Sequence, residues 1–294
     1  MSLDVEVLIV SYNSATVMDS CLRSIAELLP GARVSVREHG DDLEALDRLR
    51  LAASQHEPPI HVDHDPTNPG FGAGCNALAN NANAEWLLFL NPDAELVTWP
   101  WGTSGNTPAD QPPRAIIGPI MTESGPPGDH YGTTYGIADE VRRSWRRSRG
   151  SQPNGQGFVS GAALLIPAEA FRSIGGFDER YFMFYEDIDL CLRANAAGTG
   201  TVVENHWRVH HQRGHSTKPR FGASLTWSYE SACLFHAEHG SSVTIYRAYV
   251  VVDSVLRMAL HLLRRNRNGW SGYANLARRS AKDIISGRER RPRS

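Results

Sequence analysis

Cysteine is scarce: Cys21, Cys75, Cys191 and Cys233 are the 4 in 294 residues, far apart and with no C-x-x-C pair. That excludes a disulfide-stapled fold and a cysteine-based zinc site, and it points to a reduced, cytoplasmic setting. Long apolar runs are also missing, and none approaches the roughly 20 residues that cross a bilayer. The start, Met1-Ser2-Leu3-Asp4-Val5-Glu6, has acids where a secretory leader has bases. No interior stretch reads as an interdomain linker. The expectation is one α/β domain over residues 1–240, followed by an amphipathic helix and basic tail over 241–294.

Net charge is nearly absent as well, at −2, but it is unevenly spread. Residues 257–294 hold eleven Lys and Arg against two acids, a local charge of +9 that leaves −11 on residues 1–256. Within 243–265, which reads as a helix, Asp253, Arg257, His261 and Arg264 share one stripe, and Val250, Val251, Leu256, Leu260 and Leu263 lie elsewhere. Two outcomes fit this pattern: a helix packed on the body with a basic tail beyond it, or a segment lying on the inner, anionic face of a plasma membrane. No nucleic-acid motif accompanies the charge, so nucleic acid is not expected as a partner.

Strand and helix patterns alternate along the body. Val5–Val10 is an almost wholly apolar strand ending in Ser11-Tyr12-Asn13-Ser14, and a helix follows over 15–29. Strands at 34–36 and 60–62 flank a helix over 43–54. The turn Asn68-Pro69-Gly70-Phe71-Gly72-Ala73-Gly74-Cys75-Asn76 opens another helix. Its spacing is not G-x-G-x-x-G, which excludes a dinucleotide fingerprint, though its amides suit an anionic or sugar group. Trp86–Leu90 is the most apolar strand, and it delivers Asn91-Pro92-Asp93 to the edge where open α/β sheets bind ligands. Asp93 there suits a hard divalent cation completed by water and diphosphate oxygens, and equally an ordinary Asn-Pro-Asp turn.

Residues 99–157 look least structured, with Arg142, Arg143, Arg146, Arg147 and Arg149 around Trp145 and one strand at 115–119. Residues 158–166 read as one buried strand, and 201–203 as a short one before His210, His211 and His215.

The densest chemistry lies in Gly175-Gly176-Phe177-Asp178-Glu179-Arg180-Tyr181-Phe182-Met183-Phe184-Tyr185-Glu186-Asp187-Ile188-Asp189-Leu190-Cys191. From Glu186 the pattern is helical, so Glu186 and Asp187 stand at a helix N-terminus. They either complement the helix dipole or take a proton from a substrate hydroxyl.

Val10-Ser11-Tyr12-Asn13, the two Asn-Pro stretches, Gly175–Cys191 and His211-x-x-Gly214-x-Ser216 stand in an order that resembles family 2 glycosyltransferases, most closely their rhamnosyltransferase branch. The resemblance spans about residues 5–217 and rests chiefly on the Gly175–Cys191 combination. It implies a GT-A fold, a Rossmann-like mixed but mostly parallel sheet flanked by helices, with a C-terminal helical extension. It also implies an inverting, metal-dependent enzyme using Mg2+ or Mn2+. The carry-over makes Asp187 the base with Glu186 its partner, and gives the metal to Asp93 and His211. The nucleotide sugar falls to Ser11, Tyr12, Asn13, Glu38, Asn68, Gly72, Asn76 and Asn91, and the acceptor side to Phe177, Asp178, Glu179 and Tyr185.

The expected donor is dTDP-L-rhamnose and the acceptor a lipid-linked saccharide in cell-envelope polysaccharide synthesis. A UDP-hexose or UDP-galactofuranose donor, or a non-catalytic nucleotide-sugar-binding scaffold, are the alternatives, and a homodimer is left open. One departure stands out: Glu38-His39-Gly40-Asp41 occupies the place of the family's Asp-Asn-x-Ser.

Overall fold

The computed structural model describes residues 3–101, 112–123, 130–132, 135–146, 152–153, 155–212 and 220–287. The first half alternates strand and helix. β1 (Val5–Ser11), α1 (Ala15–Leu28), β2 (Arg33–Glu38), α2 (Leu43–Ser54), β3 (His61–His64) and α3 (Phe71–Asn81) lead to β4 (Trp86–Leu90) and β5 (Ala94–Thr98). Then come β6 (Ile116–Glu123), β7 (Tyr131–Gly132), α4 (Ile137–Arg146), β8 (Phe158–Val159), β9 (Ala163–Pro167), α5 (Ala168–Ser173), α6 (Glu186–Ala196) and β10 (Thr201–His211). Three helices close the described chain: α7 (Phe221–Glu238), α8 (Val243–Leu263) and α9 (Arg267–Ile285).

The main sheet has eight strands in the order β3-β2-β1-β4-β9-β6-β10-β5. β1 pairs in parallel with both β2 and β4, while β9 runs antiparallel to β4 and β6, so the sheet is mixed and mostly parallel. β4 sits at the centre and every residue of it is buried, which is why its sequence is apolar without alternation. Leu87 and Phe89 face one core with Leu164, Phe171 and Phe177; Trp86, Leu88 and Leu90 face the other with Ile9, Met18 and Leu165. β1 has β2 on one side and β4 on the other, so the carboxyl ends of β1 and β4 flank a topological switch point, the place where such sheets bind ligands.

Several elements differ from the sequence expectation. The apolar run at 158–166 is two strands, β8 and β9, parted at Ser160-Gly161-Ala162. Gly161 marks the break, as an interior glycine in a strand pattern often does. The short strand expected at 201–203 continues through His211, because β10 pairs with β6 on one side and β5 on the other. Trp207 of β10 stacks edge-on against Trp99 and Trp101 and closes that margin of the sheet.

Within the stretch read as unstructured, α4 is a helix in which Arg142 pairs with Asp139; Arg147 and Arg149 lie outside the described residues, as do Gly214, His215 and Ser216. The basic tail also contains a helix, α9. The Asn266 side chain accepts from Gly269 N at 3.0 Å to cap it, and Gly269 lets it pass against the His261 ring. The expected 240/241 boundary falls in the turn between α7 and α8. Among the described residues, no helix is long and apolar enough to cross a membrane.

Candidate active site

At the end of β4, Asn91 N donates to Ala162 O at 2.9 Å and Ala94 N donates to Asn91 O at 3.0 Å, forming a tight turn into β5. The turn reading of Asn91-Pro92-Asp93 is therefore realised, and the turn sets Asp93 just beyond the carboxyl end of β4. β5 pairs with the end of β10, placing Ala94 opposite His211, and Asp93 Oδ1 lies 3.1 Å from His211 Nε2. Both side chains are only 11% exposed. Among the described residues the buried His211 Nδ1 has no hydrogen-bond partner, and the His130 ring approaches edge-on at 6.2 Å.

A carboxylate oxygen beside an imidazole suits a divalent cation, and the orphaned ring nitrogen marks a polar site that the described residues do not satisfy. Among the described residues no third His, Cys, Asp or Glu joins them. Donor oxygens and water are then the natural remaining ligands.

The second acid arrives by another route. Phe184 and Tyr185 both take positive φ, 70° in each case, directly before α6. Such backbone is costly for residues with side chains and persists only where the surroundings enforce it. Here Tyr185 is buried against Tyr135 and Phe235, and Ser231 Oγ donates to Met183 O at 2.9 Å. The strained turn sets Glu186 and Asp187 into the first turn of α6. Asp187 Oδ2 accepts from Gly161 N at 2.8 Å and Oδ1 from Ile188 N at 2.8 Å.

A Cβ on Gly161 would lie 3.3 Å from both Asp187 Cβ and the Phe71 ring, so a side chain there would press both neighbours back by a few tenths of an ångström. The Ser160-Gly161-Ala162 break thus holds Asp187 through Gly161 and the β4 turn through Ala162, joining the two acids across adjacent residues. Ser160 N in turn donates to His130 O at 2.7 Å.

Burial raises the pKa of Glu186 well above the carboxylate range, and the charge of Asp187 adds to it. Burial also raises Asp187, against the opposing pull of the Gly161 and Ile188 amides. Among the described residues the buried Glu186 Oε2 has no hydrogen-bond partner. The pair therefore favours a protonated Glu186 beside an Asp187 whose two amide partners stabilise its charge.

The remaining predicted residues form two groups. At the ends of β1 and β2, Glu38 accepts from Ser11 Oγ at 2.5 Å, Asn13 N at 2.8 Å and Gly40 N at 2.6 Å, tying the two strands together with both oxygens engaged. Asn13, at φ 49°, reaches Asp41 at 2.9 Å. His39 is buried, bonded to Asp65 O at 2.7 Å, and its ring lies where a Cβ on Gly74 would have to go. The Glu38-His39 departure is thus built into the framework.

Tyr12 carries Arg220 over its ring, 4.1 Å from the centroid, and accepts a hydrogen bond from that guanidinium. Asn68 takes a positive φ of 48° at the entry to α3, where Gly70 at φ 115° passes against the Phe182 carbonyl.

The second group shapes the acid-bearing loop. Asn76 accepts from Phe177 N at 2.9 Å and donates to Phe177 O at 2.8 Å and Glu179 at 2.9 Å. Gly72 gives Phe177 room, and the Phe177 ring is buried against Phe71, Phe89 and Phe171. Asp178 pairs with Arg180 at 2.6 Å. Of the residues assigned to the acceptor side, Phe177 and Tyr185 are core rings that brace the loop, while Glu179 is exposed. His130, Arg220 and the Ser160–Ala162 break did not emerge from the sequence as site residues. Only Gly161, interrupting an apolar run, carried a signal.

Comparison with known proteins adds a lineage to this geometry. Residues 4–230 match the family model described as "Glycosyltransferase like family 2". The N-acetylglucosaminyl-diphospho-decaprenol L-rhamnosyltransferase of Mycobacterium tuberculosis is 28% identical over 234 residues, covering 68% of this chain and 74% of that protein. Rhamnosyltransferase WbbL of Escherichia coli is 33% identical over 74 residues, 25% of this chain and 28% of that one.

Among solved structures, mannosyltransferase PcManGT of Pyrobaculum calidifontis, in complex with GDP-Man and Mn2+, superposes with a TM-score of 0.53 at 13% identity, over 98% of this chain and 89% of that one. GalNAc-T7 with UDP, GalNAc and Mn2+ gives 0.56 at 15% identity, over 72% of this chain but 44% of its own. Both likenesses establish the fold, GT-A-like with helices α7–α9 appended.

Proposed function

The chain belongs to the family 2 glycosyltransferases, and from that premise we propose that it transfers L-rhamnose from dTDP-L-rhamnose to a hydroxyl of a lipid-linked saccharide, with inversion at the anomeric carbon. The observation that carries the reading is the Ser160-Gly161-Ala162 break, which binds Asp187 and the turn bearing Asp93 to neighbouring residues of one strand edge.

In this reading Asp187 is the general base. Its carboxylate, steadied by two backbone amides, takes the proton from the acceptor hydroxyl as the oxygen attacks the anomeric carbon. Glu186 stays protonated beside it, so a second negative charge does not oppose the ionised Asp187. Glu186 is buried and Asp187 half-buried, which limits the water that can compete for the sugar. Asp93 and His211 would hold a Mg2+ or Mn2+ ion, which when bound supplies positive charge against the departing diphosphate. Tyr12 offers its ring to the base, with Arg220 over it. The start of α3 and the polar ends of β1 and β2 would take the rest of the donor.

A thermal-shift panel of dTDP, UDP and GDP, each with Mg2+ or Mn2+, tests the donor assignment. The expected result is a cation-dependent rise in Tm that is largest for dTDP. A larger response to UDP moves the donor to a UDP-sugar, and no response to any nucleotide overturns the reading.

A further inference from the structure

Helix α8 presents its apolar side to solvent. Its inward stripe begins with Tyr246, Arg247, Val250 and Ser254, all buried, and continues through Asp253, Arg257 and His261. Arg257 pairs with Asp253 at 2.7 Å and lies over the Tyr273 ring, and His261 stacks on the same ring at 5.5 Å. Asp253, Arg257 and His261 of the charged stripe thus pack toward α9, while Arg264 at its end is exposed.

The opposite side carries Ile245, Val252, Val255, Leu256, Leu262 and Leu263, with exposures from 47% at Leu256 to 82% at Leu263. Every exposed residue of α8 is uncharged. With Leu260 the stripe covers about 160° of the helix and runs for about 30 Å. Single exposed leucines need no explanation, but a continuous stripe of this length does.

What lies beside the stripe indicates what covers it. Arg264, Arg265 and Arg267 follow immediately, all exposed, and Trp270 is 40% exposed in the next turn. An apolar face bounded by arginines and a tryptophan matches the acyl and headgroup layers of an anionic bilayer. A parallel pairing with a second copy would instead set these arginines against themselves, and the arc is wider than a helix-pair seam requires.

The helices also reach the catalytic acids. In α7, which packs beside α9, Trp227 lies against Phe182 with ring centres 5.0 Å apart, and Phe235 against Tyr185 at 5.4 Å, bracing the loop that delivers Asp187.

We propose that the outer stripe of α8, ended by Arg264, Arg265, Arg267 and Trp270, seats the protein on an anionic lipid surface. The proposal rests on the reading of the acceptor as lipid-linked, since such a seat brings the base to the layer where that acceptor resides.

Flotation of the full chain with vesicles of phosphatidylcholine, alone or mixed with phosphatidylglycerol, tests it. The wild type floats with the mixed vesicles. Val252→Asp/Leu256→Asp/Leu263→Asp stays behind, and Arg264→Glu/Arg265→Glu/Arg267→Glu partitions about a hundredfold less. Circular dichroism and nucleotide-induced Tm shifts remain unchanged in both, because all six positions are exposed. Transfer to a vesicle-embedded acceptor falls in both variants, while transfer to a short-chain soluble acceptor does not.

A wild type that fails to float overturns the proposal. So does equal binding to both vesicle types, or a sedimenting dimer that the three Asp substitutions dissociate, which gives the face to a second copy. If the protein floats yet glycosylates neither acceptor, the functional reading fails and the lipid seat stands.

Discussion

Replacing Asp187 by Asn isolates the proton-accepting step. The carboxylate holds Gly161 N and Ile188 N, each at 2.8 Å, one on each oxygen. An amide keeps one acceptor and turns the other position into a donor facing an N–H, at a cost of about 1–3 kcal/mol. Against that, the neutral amide sheds the desolvation that raises this acid. The two effects oppose each other, so the net loss should be about 1 kcal/mol, a fall in Tm of about 2–4 °C. Tyr12, Asp93 and His211 are untouched, so nucleotide-induced stabilisation should persist. The transfer rate should fall by about a hundredfold to ten-thousandfold, the usual contribution of a positioned base. Initial rates of sugar transfer, with parallel melting curves in nucleotide and cation, measure both. Wild-type turnover in Asp187→Asn would refute the base assignment, and loss of nucleotide binding would refute its separation from the donor site.

The raised acids set the pH behaviour: kcat/KM should climb with pH as Asp187 ionises, with its midpoint displaced upward from that of a free aspartate, which a pH–rate profile reads directly. The same shifts mean that the folded state binds these protons more tightly than the unfolded chain. Their stabilising contribution is therefore present in acid and is withdrawn as pH rises from the unfolded carboxylate value through the folded one, as Tm measured against pH will show. His211→Ala should weaken Mn2+ binding in the presence of dTDP by at least about tenfold, visible in the free-ion paramagnetic resonance signal. Arg220→Ala should raise KM for the donor by about two- to tenfold and spare kcat, the scale of one cation–π contact. Asn76→Ala strands both backbone polar groups of Phe177 and should destabilise the fold by about 2–4 kcal/mol in chemical denaturation.

Much of the architecture was legible because it rests on local pattern. β1 and β4 are apolar runs with polar ends, and helices such as α2 follow their periodicity to the residue. The two acids were legible because each sits at the end of a recognisable element.

What escaped the sequence depends on pairing across the sheet. β5 and most of β10 are amphipathic and short of apolar signal; β10 is a strand because it pairs with β6 along its length, and β5 because it pairs with the end of β10. The 158–166 run looked continuous because nothing local says that Gly161 N will bind a carboxylate 26 residues later. Arg220 meets Tyr12 across 208 residues, and a stripe on α8 shows its composition but not which side it turns inward. Glu38 illustrates the reverse. Its type suggested a ligand contact, whereas its three internal hydrogen bonds show that it first holds two strand ends together.

The most direct test is to incubate the purified chain with dTDP-L-rhamnose, Mg2+ and a polyprenyl-diphosphate-linked saccharide, and to follow the acceptor by mass spectrometry and its new linkage by NMR. The account predicts addition of one deoxyhexose with anomeric configuration opposite to that in the donor, abolished together in Asp93→Ala and Asp187→Asn. Transfer with retained configuration, or transfer that survives loss of both acids, would contradict it.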